Sequence, residues 1–208
     1  MIYKFQAKQL GNPNSLFAKI FGPLWNRRNA ALNDVVFTQL ALQPDDRLLE
    51  VGFGGGYLMQ RMLAQVTDGF LAGVDISQAM VNTGQKHFRA QIATGKLELR
   101  CARAEFLPFP AGHFTKACSV NSIFYWEDVP QALAELYRVL GVHGKLVLCQ
   151  TAAGSLEQMG FAAYANRYQS QDVERLLSAA GFQEISVLHA ADRYREFFCL
   201  TGIKRTAT

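Results

Sequence analysis

The sequence predicts an α/β fold in which a mostly parallel sheet carries helices on both faces. Two observations predict it. From Asp45 onward, short apolar runs alternate with longer amphipathic stretches at helical spacing. The first of these runs ends in a glycine-rich loop that opens a helix. Parallel neighbours need a crossover between them, and the amphipathic stretches supply it.

The elements follow in chain order. Before Pro44 the chain reads as helical: Phe17, Ile20, Phe21 and Leu24 recur at helix-like spacing, interrupted at Gly22-Pro23. Strands are expected over Arg47–Val51, Phe70–Val74, Leu97–Cys101, Thr115–Val120 and Lys145–Gln150. Helices are expected over Tyr57–Gln65, Gln78–Ala93 and Pro130–Leu140 between them. Gln171–Ala180 reads as another helix stopped by Gly181. Phe182–His189 and Arg195–Gly202 read as the last two strands. The boundary near Pro44 divides the chain into an N-terminal helical cap, residues 1–44, and a main domain, residues 45–208.

The chemistry concentrates at LLEVGFGGG, Leu48 to Gly56. Gly52, Gly54 and Gly56 allow a sharp turn and a close backbone approach to a ligand. A dinucleotide loop requires Gly-x-Gly-x-x-Gly, but Tyr57 stands at its sixth position. Glu50, two residues before the first glycine, would repel a pyrophosphate. It suits a ligand with an ammonium and a sulfonium and no phosphate, namely S-adenosylmethionine. Asp75 ends the second apolar run about 20 residues further on, where such folds place the carboxylate that accepts from ribose hydroxyls. Asp75 also reads as a charge at a helix start, with Ser77 beside it, and both roles are compatible. Ile76 then lies under the adenine and Met80, one helical turn on, covers its other side.

Four further segments extend the pattern: AEFLPFPAGHF (Ala104 to Phe114), NSIFYWED (Asn121 to Asp128), ALAELYRVLGVHGKLVL (Ala132 to Leu148) and LLSAAGF (Leu176 to Phe182). With these in this order, the chain from Asn26 to Lys204 resembles the class I S-adenosylmethionine-dependent methyltransferases. It is most similar to the small-molecule subgroup related to quinone-biosynthesis C-methyltransferases, called methyltransferase type 11. The resemblance implies a Rossmann-like sheet of seven strands closed by a C-terminal antiparallel hairpin. It implies a cofactor site of Glu50, Gly52, Gly54, Gly56, Asp75, Ile76, Met80, Ala104, Glu105 and Asn121. The Ala104 contribution is a backbone N–H to the adenine ring.

Three positions depart from the family pattern. Arg103 stands where many relatives carry an acid for the adenine amino group, and arginine has donors only. Glu105 either takes over that role or is an exposed charge at a helix start. Phe114-Thr115 lacks the usual aspartate, and Gly141-Val142-His143-Gly144 replaces a Pro-Gly-Gly turn; both changes read as structural.

Composition bounds the alternatives. The chain has 208 residues, half of them hydrophobic and 18% charged, which suits one globular domain. A net charge of +4 without a dense Lys/Arg block gives no expectation of nucleic acid. No run of 18 apolar residues suggests a membrane span, and the first residues lack a signal-peptide core. Cys101, Cys118, Cys149 and Cys199 read as buried free thiols on strands, which suits the cytoplasm. No metal-ligand spacing occurs.

The sequence assigns no catalytic residue. Phe124, Tyr125 and Trp126 form an aromatic cluster that walls the acceptor site or belongs to the core. Tyr125, Glu127, His113 and His189 are the candidate bases, each with a structural reading beside it. The absence of Asn/Asp-Pro-Pro-Tyr argues against a nucleic-acid base as acceptor. Phe17, Phe21, Trp25, Asn26 and Asn29 are candidate pocket walls or sheet-packing residues. Met159, Phe161, Tyr164 and Tyr168 are candidates for the rim. SLFAKIFGPLWNRR also combines apolar bulk with Lys19, Arg27 and Arg28, a pattern that suits a membrane surface. The reading is a methyltransferase acting on a small-molecule acceptor. The alternatives are a non-catalytic S-adenosylmethionine-binding partner or regulator, a nicotinamide oxidoreductase, and a protein or RNA methyltransferase.

Overall fold

In the computed structural model, residues 28–158 and 166–205 are described. The first apolar run forms β1 (Arg47–Val51), with β2 (Phe70–Asp75) and β4 (Phe114–Val120) as its parallel neighbours. Beyond them lie β3 (Leu97–Cys101) on one side and β5 (Leu140–Thr151) on the other, also parallel. β7 (Glu196–Lys204) runs antiparallel to β5, and β6 (Phe182–Ala191) closes that edge as its hairpin partner. The order β3-β2-β1-β4-β5-β7-β6 is the seven-stranded sheet with a C-terminal hairpin that the resemblance implies. Nearly unbroken burial along β1 and β2 follows from helices on both faces.

One face is covered by α1 (Ala30–Leu40), α2 (Tyr57–Gln65) and α3 (Gln78–His87), through Leu32, Val36, Met59, Met62 and Val81. The other is covered by α5 (Val129–Val139) and α7 (Ser170–Ala179). Leu133 and Leu136 of α5 are fully buried there, each contributing roughly 1.5–3 kcal/mol. Asp128 caps α5 by accepting from the Gln131 N–H at 3.0 Å. α6 (Ala153–Gln158) follows β5.

The elements fall where the sequence places them, except that α6 lies between Gln150 and Gln171, where no helix is expected, and with two further physical exceptions. The expected helix Gln78–Ala93 is broken at Phe88 into α3 and α4 (Arg89–Ala93). Phe88 leaves helical geometry and buries its ring against Gly56. β5 starts at Leu140 rather than Lys145, because α5 passes straight into it without a separate turn. The thiols also differ from expectation. Cys118, Cys149 and Cys199 are buried and free, but Cys101 is free and exposed, at the tip of the outer strand β3. The expected helix around Phe17 to Leu24 lies outside the described residues.

The glycine at the middle of β2 sets the sheet-to-helix distance. A Cβ on Gly73 would meet Leu99, Met59 and Phe53 side-chain carbons at 2.8–2.9 Å. Gly73→Ala is therefore expected to destabilise the fold by about 1–3 kcal/mol through overpacking. Gly154 in α6 has open space around it, and Gly154→Ala is expected to stabilise by roughly 0.5–1 kcal/mol. Urea unfolding midpoints of the two variants check both signs.

Candidate active site

The five parallel strands end at one edge. There Val51 leads into Gly52, Asp75 ends β2, Ala102 to Glu105 follow β3, Asn121 follows β4, and Thr151 ends β5. Ligands of open α/β sheets bind at this edge.

The glycine loop is tied down at both flanks and open in the middle. The Gly52 N–H donates to the Val74 carbonyl at 2.8 Å, and the Gly56 N–H donates to the Phe53 carbonyl at 2.9 Å. A Cβ on Gly52 would lie 2.8 Å from the Ser122 Cβ, and one on Gly56 would lie 2.6 Å from the Phe88 ring. At Gly54 a Cβ would meet nothing closer than 4.0 Å. Gly54, with φ +51°, is thus where the loop backbone is most open to a ligand.

Two buried carboxylates flank this loop. Glu50 is 4% exposed, and its Oε2 has no hydrogen-bond donor. Burial, with the charge of Asp75 as the smaller cause, pushes its pKa up to about 8. Asp75 is also buried, but it is served by donors: Oδ2 accepts from the Gly54 N–H and Oδ1 from the Ser77 N–H, each at 2.9 Å. Burial raises its pKa, and the two backbone N–H groups oppose that rise. Ser77 caps α3 by accepting from the Met80 N–H at 3.4 Å. So Asp75 serves the loop and the helix start together. Ile76 beside it is 45% exposed, and Met80 is buried.

Glu105 does not form an exposed helix-start charge. It is 4% exposed, and its Oε1 accepts from the Glu127 N–H at 2.8 Å and the Asp128 N–H at 3.2 Å. The Arg103 Nε lies 3.3 Å from its Oε2, and Arg103 Nη2 lies 2.7 Å from the Glu127 carboxylate. The acid holds the loop after β3 to the entry of α5. Ala104 is buried next to it.

On the other side of the loop, the Ser119 hydroxyl donates to the Val51 carbonyl at 2.9 Å, with Ser122 beside it. Asn121 follows in a left-handed conformation, φ +53°. Its Oδ1 accepts from the Thr151 N–H at 2.8 Å and the Thr151 hydroxyl at 3.0 Å. Its Nδ2 donates to Asn29 Oδ1 at 3.0 Å. Arg195, in the β6–β7 turn, donates to the same Asn29 oxygen at 2.8 Å, to Thr151 Oγ1 at 3.3 Å, and to the Arg28 carbonyl. Arg195 and Thr151 carry no sequence signal for this network. Their partners are brought together only when the hairpin folds back onto β5.

The candidate bases separate by position. His113 precedes β4 and contacts Arg47 at the start of β1, so it sits at the opposite edge of the sheet. His189 lies on β6, four strands from β1 in the sheet order, or roughly 19 Å at the usual strand spacing; its Nε2 is 3.3 Å from Ser170 Oγ. Glu127 is exposed and paired with Arg103. Tyr125 is at the right edge, but burial drives its phenol pKa further up. Phe124 and Trp126 are buried, and Trp126 belongs to the core. Of the other candidates, Asn29 and Tyr168 are described; Phe17, Phe21, Trp25, Asn26, Met159, Phe161 and Tyr164 lie outside the described residues, as does the expected membrane-contact segment up to Arg27.

Comparison with known proteins decides the family. A family model described as a methyltransferase domain matches residues 49–148. An uncharacterized methyltransferase of Bacillus subtilis (strain 168), YdaC, is 31% identical over 91% of this chain and 99% of its own length. The chain belongs to the methyltransferase family. It is a class I S-adenosylmethionine-dependent enzyme. The demethylmenaquinone methyltransferase of Symbiobacterium thermophilum is 31% identical over 55% of this chain, which spans about half (46%) of that relative's length. Among solved structures, a geranyl diphosphate C-methyltransferase from Streptomyces coelicolor A3(2), in complex with Mg2+, geranyl diphosphate and S-adenosyl-L-homocysteine, superimposes with a TM-score of 0.72. The two share 15% identity, over 86% of this chain and 78% of that one, so the likeness is one of fold.

Within this methyltransferase, the raised Glu50 pKa links stability to pH. The folded state keeps a proton on Glu50 up to about pH 8, whereas an ordinary glutamate loses it near 4.5. Between those values the folded protein binds more protons, so stability falls as pH rises, by up to about 1.4 kcal/mol per pH unit. Glu50→Gln removes this loss. Urea unfolding at pH 5 and pH 8 is expected to show the variant gaining on wild type as pH rises.

Proposed function

We propose that this edge binds S-adenosylmethionine and directs its methyl group to a small-molecule acceptor. The observation that carries the cofactor reading is the buried Glu50 Oε2, without a donor, beside the open backbone at Gly54. That pair of features fits a ligand with an ammonium and a sulfonium, and it disfavours one with phosphates. The bound cofactor supplies a methyl group already activated on sulfur. The protein's part is to hold donor and acceptor in line at short range.

Each residue has a task in this reading. Glu50 compensates the positive charge of the ligand, and the Gly52, Gly54 and Gly56 loop lets the ligand lie against the backbone. Asp75 has further lone pairs on oxygens already oriented by Gly54 and Ser77, and these accept from the ribose. Ile76 offers exposed apolar surface to one face of the adenine, with Met80 behind the other. The Ala104 backbone N–H meets the ring edge, while Glu105 fixes the loop that presents it. Asn121 contributes through its backbone and its second amide hydrogen, since Asn29 and Thr151 hold the rest of the side chain.

The turn at Phe124 to Trp126 walls the acceptor side. A small acceptor agrees with the absence of a dense basic block and of the Asn-Pro-Pro-Tyr clamp. The quinone-related and prenyl-diphosphate substrates in the names of two similar proteins support it. Three buried free thiols suit a reducing compartment such as the cytoplasm. No helix among the described residues is long and apolar enough to cross a membrane.

Calorimetric titration with S-adenosylhomocysteine, with NAD as comparison, tests the cofactor. Micromolar binding of the former alone is expected; no binding by folded, cofactor-free protein overturns the reading. Asp75→Ala is expected to weaken binding by about 1–3 kcal/mol, the scale of lost charge-assisted hydrogen bonds. Wild-type affinity in a folded variant would remove Asp75 from the ribose.

The affinity should also depend on pH. Glu50 attracts a cation only when ionised, so affinity is expected to rise from pH 6 towards pH 8 and level off above it. In Glu50→Gln that rise should disappear.

A further inference from the structure

Arg195 carries the feature that the cofactor reading leaves unused. It is 7% exposed, and its Nε has no acceptor. Its other contacts are neutral oxygens: Asn29 Oδ1, Thr151 Oγ1 and the Arg28 carbonyl. The nearest carboxylate, Asp192, lies 3.9 Å from Nε, and its Oδ1 already accepts from the Tyr194 and Arg195 N–H groups in the hairpin turn. Two more cations stand close. Arg28 and Arg193 lie over the Tyr194 ring at 5.5 and 4.6 Å. A buried guanidinium among cations, with an unmet donor and one loose counter-ion, carries a desolvation cost that an anion would offset.

The position matches the acceptor side of the site. β7 is antiparallel to β5, with Thr151 opposite Phe197, so the turn that holds Arg195 lies at the same edge as Glu50 and Asp75. Asn121 links the two halves. It reaches Thr151 and Asn29 with its side chain, and its neighbour Ser122 abuts Gly52 of the cofactor loop. An anchor here stands at the start of β7, three strands from β1 in the sheet order, or roughly 14 Å at the usual strand spacing, a span that an extended acceptor covers.

We propose that Arg195 is an anion-binding residue of the acceptor site, and that the acceptor presents a carboxylate or phosphate oxygen to its Nε. The proposal rests on the cofactor reading above, since it places the acceptor beside that site. The anion supplies the acceptor's orientation, which in-line transfer requires, and it replaces Asp192 as the main partner of the guanidinium.

The test uses the full chain, first titrated with S-adenosylhomocysteine alone. Failure at that step overturns the cofactor reading and is seen before any anion is added. Benzoate, phenyl phosphate and the neutral benzamide are then added to the complex, with arginine Nε–H resonances followed by NMR. One resonance, assigned by its loss in Arg195→Lys, is expected to shift with an anion and not with benzamide. The tighter of the two anions tells carboxylate from phosphate. Arg195→Gln is expected to bind that anion about tenfold more weakly while keeping its S-adenosylhomocysteine affinity within about threefold. No anion-dependent shift of any arginine Nε–H resonance overturns the proposal, even where the variants fail to fold. Unchanged anion affinity in Arg195→Gln overturns it too, as does loss of S-adenosylhomocysteine affinity in the folded variant, which makes Arg195 a structural clamp.

Discussion

The edge of this sheet depends on how two carboxylates are buried side by side. Glu50 and Asp75 lie near the ends of adjacent strands, and the charge of Asp75 adds to the cost of ionising Glu50. The fold resolves the conflict unequally. Asp75 receives the Gly54 and Ser77 N–H groups, and its ionised form is favoured by them. Glu50 receives no donor at Oε2 and holds its proton to about pH 8. One acid is thereby satisfied by the protein, and the other is not. A chain evolved for stability alone would place an apolar residue at position 50, where Leu48 and Cys118 already line the same face.

Much of the surrounding structure serves that arrangement. The glycine loop must turn tightly enough to aim the Gly54 N–H at Asp75, and Ser122 and Phe88 leave no room for side chains at Gly52 and Gly56. Phe53, on the buried side of the loop, packs into space left by Gly73 on β2 and Gly84 on α3. Ser119 ties the Val51 carbonyl to β4. The loop is therefore fixed from below by packing and from the side by hydrogen bonds, so it is preorganised rather than shaped by the ligand.

The sequence made local features legible and long-range ones not. Arg47–Val51 and Tyr57–Gln65 are readable because strand and helix each show their own period, with glycines between. Glu50 and Asp75 are readable because a carboxylate in an apolar run needs a reason. The break at Phe88 is hidden, since the residues on either side continue a helical pattern and only the contact with Gly56 explains it. Burial of Glu105 is hidden for the same reason: its partners, the N–H groups of Glu127 and Asp128, lie over 20 residues away. Cys101 looked like its buried counterparts because strand composition does not show which strand is outermost. Arg195 is the extreme case, with Asn29 at a separation of 166 residues.

These residues divide the edge by charge. Glu50 and Asp75 make one half acidic; Arg195, with Arg28 and Arg193 nearby, makes the other basic. No ion pair joins the halves among the described residues. Between them stand Asn121, Asn29 and Thr151, which can accept from a guanidinium without neutralising it. Had an acid occupied position 29, it would have paired with Arg195 and removed the basic half from use. Neutral amides keep both charges available within one hydrogen-bonded frame. In the proposed reading, a cationic methyl donor and an anionic acceptor each meet their own counter-charge, and their mutual attraction favours the approach of the reacting atoms.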